Sequence, residues 1–249
     1  CLLLLTGNIF AQTRIDSLDV YCLEVFMPSS QYKWDCCQAT MLNSMVHLYN
    51  SKPEAEKKVY LDYIRTAMDL TLNDANGMHP NAVASGHGMA FLAKITGDPR
   101  YVEKASKIFA DYLTTPRTKA GGVSHRTETV EMWDDTIYMI SMFLLEMYRY
   151  TGDEKYIKEF QKQYFIHKEK LADKKWGLWV HGYDDDNDDY KDRCCQFGWA
   201  RMTSQRTSIE FWGRGNGWVV MALADALNTV PPKSLYFRVF ATELKEITK

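Results

Sequence analysis

Ile95-Thr96-Gly97-Asp98-Pro99-Arg100-Tyr101 returns 55 residues later as Tyr150-Thr151-Gly152-Asp153-Glu154-Lys155-Tyr156, each time between two stretches with helical spacing. Each copy reads as a joint between two helices. The Gly suits a helix C-terminus, the Asp caps the next helix, and the Tyr falls at the same point of that helix. A repeat of two helices plus their loops predicts a solenoid or a closed ring of helical hairpins.

Outward from the joints, the spacing predicts helices over 36–49, 53–72, 81–95, 99–114, 130–150, 154–171, 216–228 and 233–247. Strand signals are few. Trp176 to Tyr183 has aromatic and β-branched character and predicts a short strand, and Thr115 to Arg126 reads as an extended connection. Long connections gathered on one face are where function is expected.

The 249 residues, 46% hydrophobic and 25% charged, are ordinary for a globular protein. A net charge of -2 gives no electrostatic footprint for nucleic acid. No apolar run reaches the roughly 20 residues that span a bilayer. Any anionic ligand must therefore be held by a few placed cations.

Cys1 to Leu5 followed by Thr6 to Gln12 reads as the end of a signal peptide with a small-residue cleavage site near Ala11. A buried first helix is the alternative. Residues 1–12 are thus expected to be a signal remnant, residues 13–249 the mature chain, and the mature protein exported to the periplasm or the exterior, free of membrane after cleavage. Cys22, Cys36, Cys37, Cys194 and Cys195 then remain, without the C-x-x-C spacing of metal sites, and read as buried free thiols. A disulfide between the two Cys-Cys segments stays open. The acidic run Asp184 to Asp189 fails the calcium-loop pattern, because Asp189 stands where Gly is needed and Cys195 where Glu is needed. It reads as a solvated loop, and no metal or cofactor is expected.

Chemistry concentrates in two stretches. In Glu131-Met132-Trp133-Asp134-Asp135-Thr136-Ile137-Tyr138-Met139 two carboxylates open a helix. Neighbours on a helix point about 100° apart, so only one of the two is expected to share a space with Trp133 and Tyr138. Asp135 among aromatics would have a raised pKa and be a usable proton donor. The bland alternative is that both cap the helix, where its dipole lowers their pKa. His125 and His181 are loop histidines that can donate a hydrogen bond or relay a proton, or simply be structural. The second stretch is Phe211-Trp212-Gly213-Arg214-Gly215-Asn216-Gly217-Trp218. Its glycines allow positive φ and close backbone approach, its Arg fork suits a carboxylate, and its indoles suit sugar rings. It reads as a binding wall at the mouth of a helix, or as a Gly-rich loop whose Trp residues pad the core.

Trp133-x-Asp135-x-x-Tyr138-Met139, the Thr-Gly-Asp joints, Val180-His181-Gly182-Tyr183-Asp184 and the Phe211 to Trp218 block together, in this order from Trp34 to Pro232, resemble the unsaturated rhamnogalacturonyl hydrolases of glycoside hydrolase family 105, relatives of family 88. The resemblance implies an all-α (α/α)6 toroid of twelve helices with a central cleft. The spacing supplies about eight helices, so residues 13–249 are expected to be an incomplete (α/α)6 catalytic domain that stops before the ring closes. The implied activity removes a 4,5-unsaturated galacturonyl residue from the non-reducing end of pectin or rhamnogalacturonan oligosaccharides by hydration. An Asp protonates C4, water adds at C5, and the hemiketal opens, unlike the common two-carboxylate glycosidases.

Carried over, Asp135 is the implied proton donor and water-activating group. Asn81, His125, Trp133, His181, Trp212, Arg214 and Trp218 are the implied substrate contacts, with Arg214 receiving the uronate. Two departures stand out. Asn81 occupies the place where family members often carry a second cleft Asp, and an amide binds a hydroxyl but shares no proton. Cys36 and Cys37 follow Trp34-Asp35 where an aromatic is common. A non-catalytic sugar-binding toroid is the alternative reading. A sugar epimerase is a weaker one, since it calls for two well-placed His and the Arg-Trp wall does not foretell them. The sequence sets no oligomeric state.

Overall fold

The computed structural model of the chain describes residues 17, 19–27, 31–186 and 204–249. The chain divides into two compact units, residues 1–33 and 34–249. The first contains one turn of π-helix, Cys22–Phe26. Among its described residues the second is all-α apart from one small sheet. Its described helices are α1 (Cys36–Ser51), α2 (Glu54–Leu70), α3 (Pro80–Thr96), α4 (Pro99–Leu113), α5 (Asp135–Thr151), α6 (Glu154–Leu171), α7 (Gly213–Thr229) and α8 (Leu235–Ile247).

The two joints behave as their residues dictate. Gly97 and Gly152 take left-handed φ angles of 66° and 70° just past α3 and α5. Asp98 and Asp153 then accept from the backbone N–H of Arg100 and Lys155, both at 2.9 Å. Tyr101 and Tyr156, each the third residue of its helix, are buried. Such joints fold consecutive helices back on each other as hairpins.

Burial separates an inner from an outer layer. Every residue from Val83 to Ala93 on α3 and from Thr136 to Met147 on α5 is buried, as expected of helices apolar around their whole circumference. By contrast α4 buries only Tyr101, Ala105, Ile108 and Tyr112, one stripe at helical spacing. Inner α3 packs against α1 and α5, and α5 packs against α7. Close approach depends on small residues. A Cβ at Gly86 would lie 2.9 Å from Phe143 on α5, and one at Gly88 2.6 Å from Leu42 on α1. The arc of hairpins is tied from α1 to α7 by Asn43, whose amide donates to Asp225 at 3.4 Å. This is the toroid architecture of stacked helical hairpins.

Because the hairpins alternate direction, the N-termini of the inner helices share one end of the arc. There the long connections before α5 and α7 meet as β1 (Glu131–Trp133) and β2 (Gly182–Asp184). They are antiparallel, with Glu131 opposite Asp184, Met132 opposite Tyr183 and Trp133 opposite Gly182. An isolated bridge from Tyr183 to Thr207 adds a third extended segment.

Several boundaries differ from the spacing. The helix expected over 130–150 starts at Asp135, since residues 131–133 pair with β2 instead. Met132 is pinned there against Gly122, where any Cβ would lie 2.3 Å from its sulfur. The strand expected over Trp176 to Tyr183 narrows to Gly182–Asp184, with Trp179 bridging Ala172. The helix expected from 216 opens at Gly213. Residues 115–126 form the expected irregular connection, bridged at Arg117 and Val123.

Cys22, Cys36 and Cys37 are free thiols, but only Cys22 is buried as expected; Cys36 is half-buried and Cys37 exposed in the first turn of α1. Residues 1–12, the second half of the acidic run and Cys194-Cys195 lie outside the described residues. Asp185, in the described half, is engaged structurally. It accepts from Lys119 N–H at 3.0 Å and from the Tyr183 hydroxyl at 3.2 Å. Among the described residues no helix is long and apolar enough to cross a membrane.

A Cβ in the left-handed region costs about 1 kcal/mol. Gly97→Ala and Gly152→Ala should each lower stability by roughly that amount, read as a lower urea midpoint with an unchanged m-value. An unchanged midpoint would show that the joints do not depend on that backbone conformation.

Candidate active site

Asp134 occupies the corner between β1 and α5. One of its carboxylate oxygens caps the helix by accepting from Asp135 N–H at 3.0 Å. The same oxygen lies 2.7 Å from His181 Nδ1. A carboxylate oxygen of Asp135 is 3.4 Å from that nitrogen. Only one aspartate was expected to face the shared space, and both do. Asp134 has helical dihedrals, φ -61° and ψ -32°, so the angular rule still holds; both carboxylates meet one space because His181 Nδ1 lies within reach of an oxygen of each. Asp134 is fully buried, and the Asp135 side chain keeps 16% exposure.

The backbone around His181 is clamped from three sides. Its N–H donates to Glu210 C=O and its C=O accepts from Asp134 N–H, both at 3.1 Å. Two residues upstream, the Asn216 side chain grips the Trp179 backbone, accepting from its N–H and donating to its C=O, both at 2.8 Å. A second hydrogen bond from that amide reaches Trp212 C=O at 3.1 Å. Asn216 therefore belongs to the site as a brace, a role the sequence did not reveal.

Flat groups continue the arrangement sideways. His125 stacks on Trp133 with ring centroids 4.3 Å apart and planes 8° from parallel. Trp133 meets His181 at 5.1 Å, and His181 stacks on Trp212 at 4.9 Å. The exposed Arg214 guanidinium lies 5.0 Å over the Trp212 ring. On the other flank His79 meets His125 edge-on at 5.5 Å. His79 was not foreseen; its sequence signal is a polar residue directly before Pro80, and its Nδ1 caps α3 by accepting from Asn81 N–H at 3.1 Å. One turn deeper, Trp218 stacks on Tyr138 at 4.9 Å and 7°. Thus His125, Trp133, Asp135, His181, Trp212 and Arg214 converge, and Trp218 lies a helical turn along the same two helices. Asn81 opens α3, and its side chain makes no hydrogen bond among the described residues.

The glycines of the second stretch act differently from their expected role. Gly213, Gly215 and Gly217 all lie in α7, and none has positive φ. Gly215 matters for contact: a Cβ there would lie 2.0 Å from an Asp134 carboxylate oxygen. At Gly213 and Gly217 a Cβ would meet nothing within 4 Å. The stretch is the first turn of a helix whose N-terminus abuts a carboxylate, where the helix dipole favours negative charge.

Burial nonetheless dominates the proton chemistry. It pushes Asp134 up to about 7, against the lowering pull of its hydrogen bonds and Arg214. Asp135 rises to about 6, from burial first and the adjoining Asp134 second, partly offset by His181 and Arg214. Burial also lowers His181, and lowers His125 well below the usual imidazole range. Near neutral pH the site holds neutral imidazoles and a carboxyl pair poised to share a proton. Donor atoms of Asp134, Asp135 and His181 lie within 4.8 Å of one another, the spacing of a cation site. The 2.7 Å separation of His181 from Asp134 is that of a hydrogen bond, so in this arrangement a proton joins them.

Residues 11–249 match the family described as Glycosyl Hydrolase Family 88. The unsaturated rhamnogalacturonyl hydrolase YesR of Bacillus subtilis is 26% identical over 226 residues, covering 86% of this chain and 59% of that protein. A glycoside hydrolase from family 105 of C. acetobutylicum superposes with a TM-score of 0.72 at 23% identity, covering 92% of this chain and 62% of that one. A possible member of the GH105 family from Klebsiella pneumoniae gives a TM-score of 0.68 at 23% identity, over 86% and 53% of the two chains. The chain spans less than two thirds of the length of these relatives, and the two structures bear on its fold alone.

Close packing separates the three glycines. Gly215→Ala should destabilise by about 1–3 kcal/mol through overpacking, while Gly213→Ala and Gly217→Ala should be neutral or stabilise by up to about 1 kcal/mol through helix propensity. Chemical denaturation of the three variants checks this. Equal effects at all three would mean that the Asp134 contact does not constrain α7.

Proposed function

We propose, because this chain belongs to Glycosyl Hydrolase Family 88, that it is a glycoside hydrolase that removes a 4,5-unsaturated galacturonyl residue from the non-reducing end of a pectin-type oligosaccharide. The observation that carries the reading is Asp135, partly exposed and raised to about 6, with Arg214, which lies over Trp212, near enough to act on it. A carboxyl near 6 still holds a proton for a weakly basic carbon in mildly acidic to neutral solution. Arg214 has no ion pair with a described carboxylate, so its fork is open to a uronate. The inner helices α3, α5 and α7 also present their positive ends to this space, which favours an anionic sugar.

In the proposed reaction the Asp135 carboxyl gives its proton to C4 of the enol ether. Water adds at C5 and returns a proton to the Asp135 carboxylate, and the hemiketal opens to release the next sugar. His181 and His125, both neutral, offer hydrogen bonds to sugar hydroxyls or to the water, and Trp133 and Trp212 supply stacking faces. The exported location read from the apolar run and small-residue site of residues 1–12 belongs to the same proposal.

The full-length protein should bleach the ultraviolet absorbance of the conjugated uronate in an unsaturated rhamnogalacturonan disaccharide. Asp135→Asn should cut kcat by about 10²- to 10⁴-fold while leaving thermal unfolding unchanged. Arg214→Ala should act on capture, raising KM by roughly 10- to 100-fold, the worth of a charged hydrogen bond. A chromophore that persists at every pH from about 5 to 8, the span between the carboxyl and imidazole values, would refute the activity and leave a sugar-binding protein.

A further inference from the structure

We infer that Asp134 is the second carboxylate of this site, a positioning residue that shares a proton with Asp135 beside His181 and sets the pH range over which Asp135 can donate. The inference rests on the hydrolase reading above. It answers the substitution at Asn81, where the resemblance leads one to expect a second acid and the chain has an amide. The missing carboxylate is present, but it has entered from the residue next to the donor.

Geometry supports this through donors and acceptors. Asp134 Oδ1 takes Asp135 N–H and faces His181 Nδ1, while Asp134 Oδ2 and Asp135 Oδ2 are buried with no hydrogen-bond partner among the described residues. Two carboxylates beside one neutral imidazole leave more acceptors than protons. Holding both ionised without donors in a buried site is costly, and one shared proton relieves it. The chain also makes room for the arrangement. Gly215 lets α7 lie against Asp134, and any larger residue there would expel the carboxylate. A residue that only capped α5 would not need full burial under a second helix.

Among the described residues the groups that face the pair are few. Arg214 acts on both carboxyls from α7, and His181 on Asp135 from the segment before β2. Glu210 acts on His181 from the segment before α7. His79, from the start of α3, and Arg126 act on His125 behind Trp133. Asp134 is the neighbour among them that raises Asp135. One proton shared between the two carboxyls thus keeps the pair from full ionisation to higher pH than a lone carboxyl would, and when Asp135 has given a proton to C4 and water has added at C5, the proton water sheds returns to the pair.

Two measurements on the full-length protein test this. In the first, aspartate carboxyl carbons are labelled with ¹³C and followed by NMR across pH, which requires no turnover. The pair is expected to titrate in two linked steps seen at both carboxyls, and in Asp134→Asn the Asp135 signal should show a single step at lower pH. Two independent one-step curves in the parent would overturn the inference, and this readout stands even if Asp134→Asn does not fold. In the second, kcat on the unsaturated disaccharide is measured against pH. Activity should fall as pH rises through about 6 in the parent, and in Asp134→Asn the fall should move about one unit lower. The variant's kcat at pH 7 should drop by about 10-fold, one pKa unit's worth, with KM little changed. A loss of rate with no displacement of the profile would mark Asp134 as merely structural and overturn the inference. If the parent shows no turnover, the hydrolase reading fails while the NMR titration still decides whether the carboxyls are coupled.

Discussion

A fully buried carboxylate 2.7 Å from an imidazole is the constraint on which the rest of the site depends. Asp134 joins three parts of the chain that are far apart in sequence. It caps α5, it holds His181 ahead of β2, and it lies in the notch that Gly215 leaves in α7. Buried polar groups of this kind stabilise only when their partners are in place. The molecule therefore surrounds the contact with backbone clamps: His181 bonded on both its N–H and its C=O, and Asn216 gripping Trp179.

The hairpin arc explains why that contact can exist. A helix buried all round keeps a charge along its length only where a partner meets it, as Arg149 meets Glu146 on α5 at 2.8 Å, whereas the groups of the site stand at helix ends. Asp134 and Asp135 start α5, Arg214 starts α7, and His79 caps α3. The inner helices bring those ends together, and the flat stack from His125 through Trp133 and His181 to Trp212 fills the space between them. Below it, Tyr138 on Trp218 and the Tyr138 hydroxyl, which accepts from Asn43 at 3.3 Å, close the floor. An apolar and aromatic surround with few donors is what lifts the carboxyls and depresses the imidazoles, so packing and proton chemistry have one cause.

Helical order was legible because local rules govern it. Gly97 and Gly152 need the left-handed conformation, Asp98 and Asp153 each cap the second helix of their joint, and the apolar stripe of α4 announces an outer helix. These are short-range effects, and the joints came out as their residues require. Trp133, Asp135, His125, His181, Trp212 and Arg214 could also be read as one group, through a pattern of motifs in a fixed order. The misleading signal was helical periodicity carried through residues 131–133, which the pairing with Gly182–Asp184 turns into a strand. That error hid Asp134, because the β1–β2 pairing is what brings His181 beside it.

The sequence by itself determined the helices, their joints and the residue types available for acid–base chemistry and for holding an anion. Tertiary structure alone decided that Gly215 serves contact with Asp134 and not positive φ, that Asn216 is a brace for Trp179, and that two aspartates, not one, face His181. The physical reason is range. Caps and turns are settled within four or five residues, while the proton affinity of a carboxyl depends on the groups buried against it, here an imidazole 47 residues away and a helix N-terminus some 80 residues away.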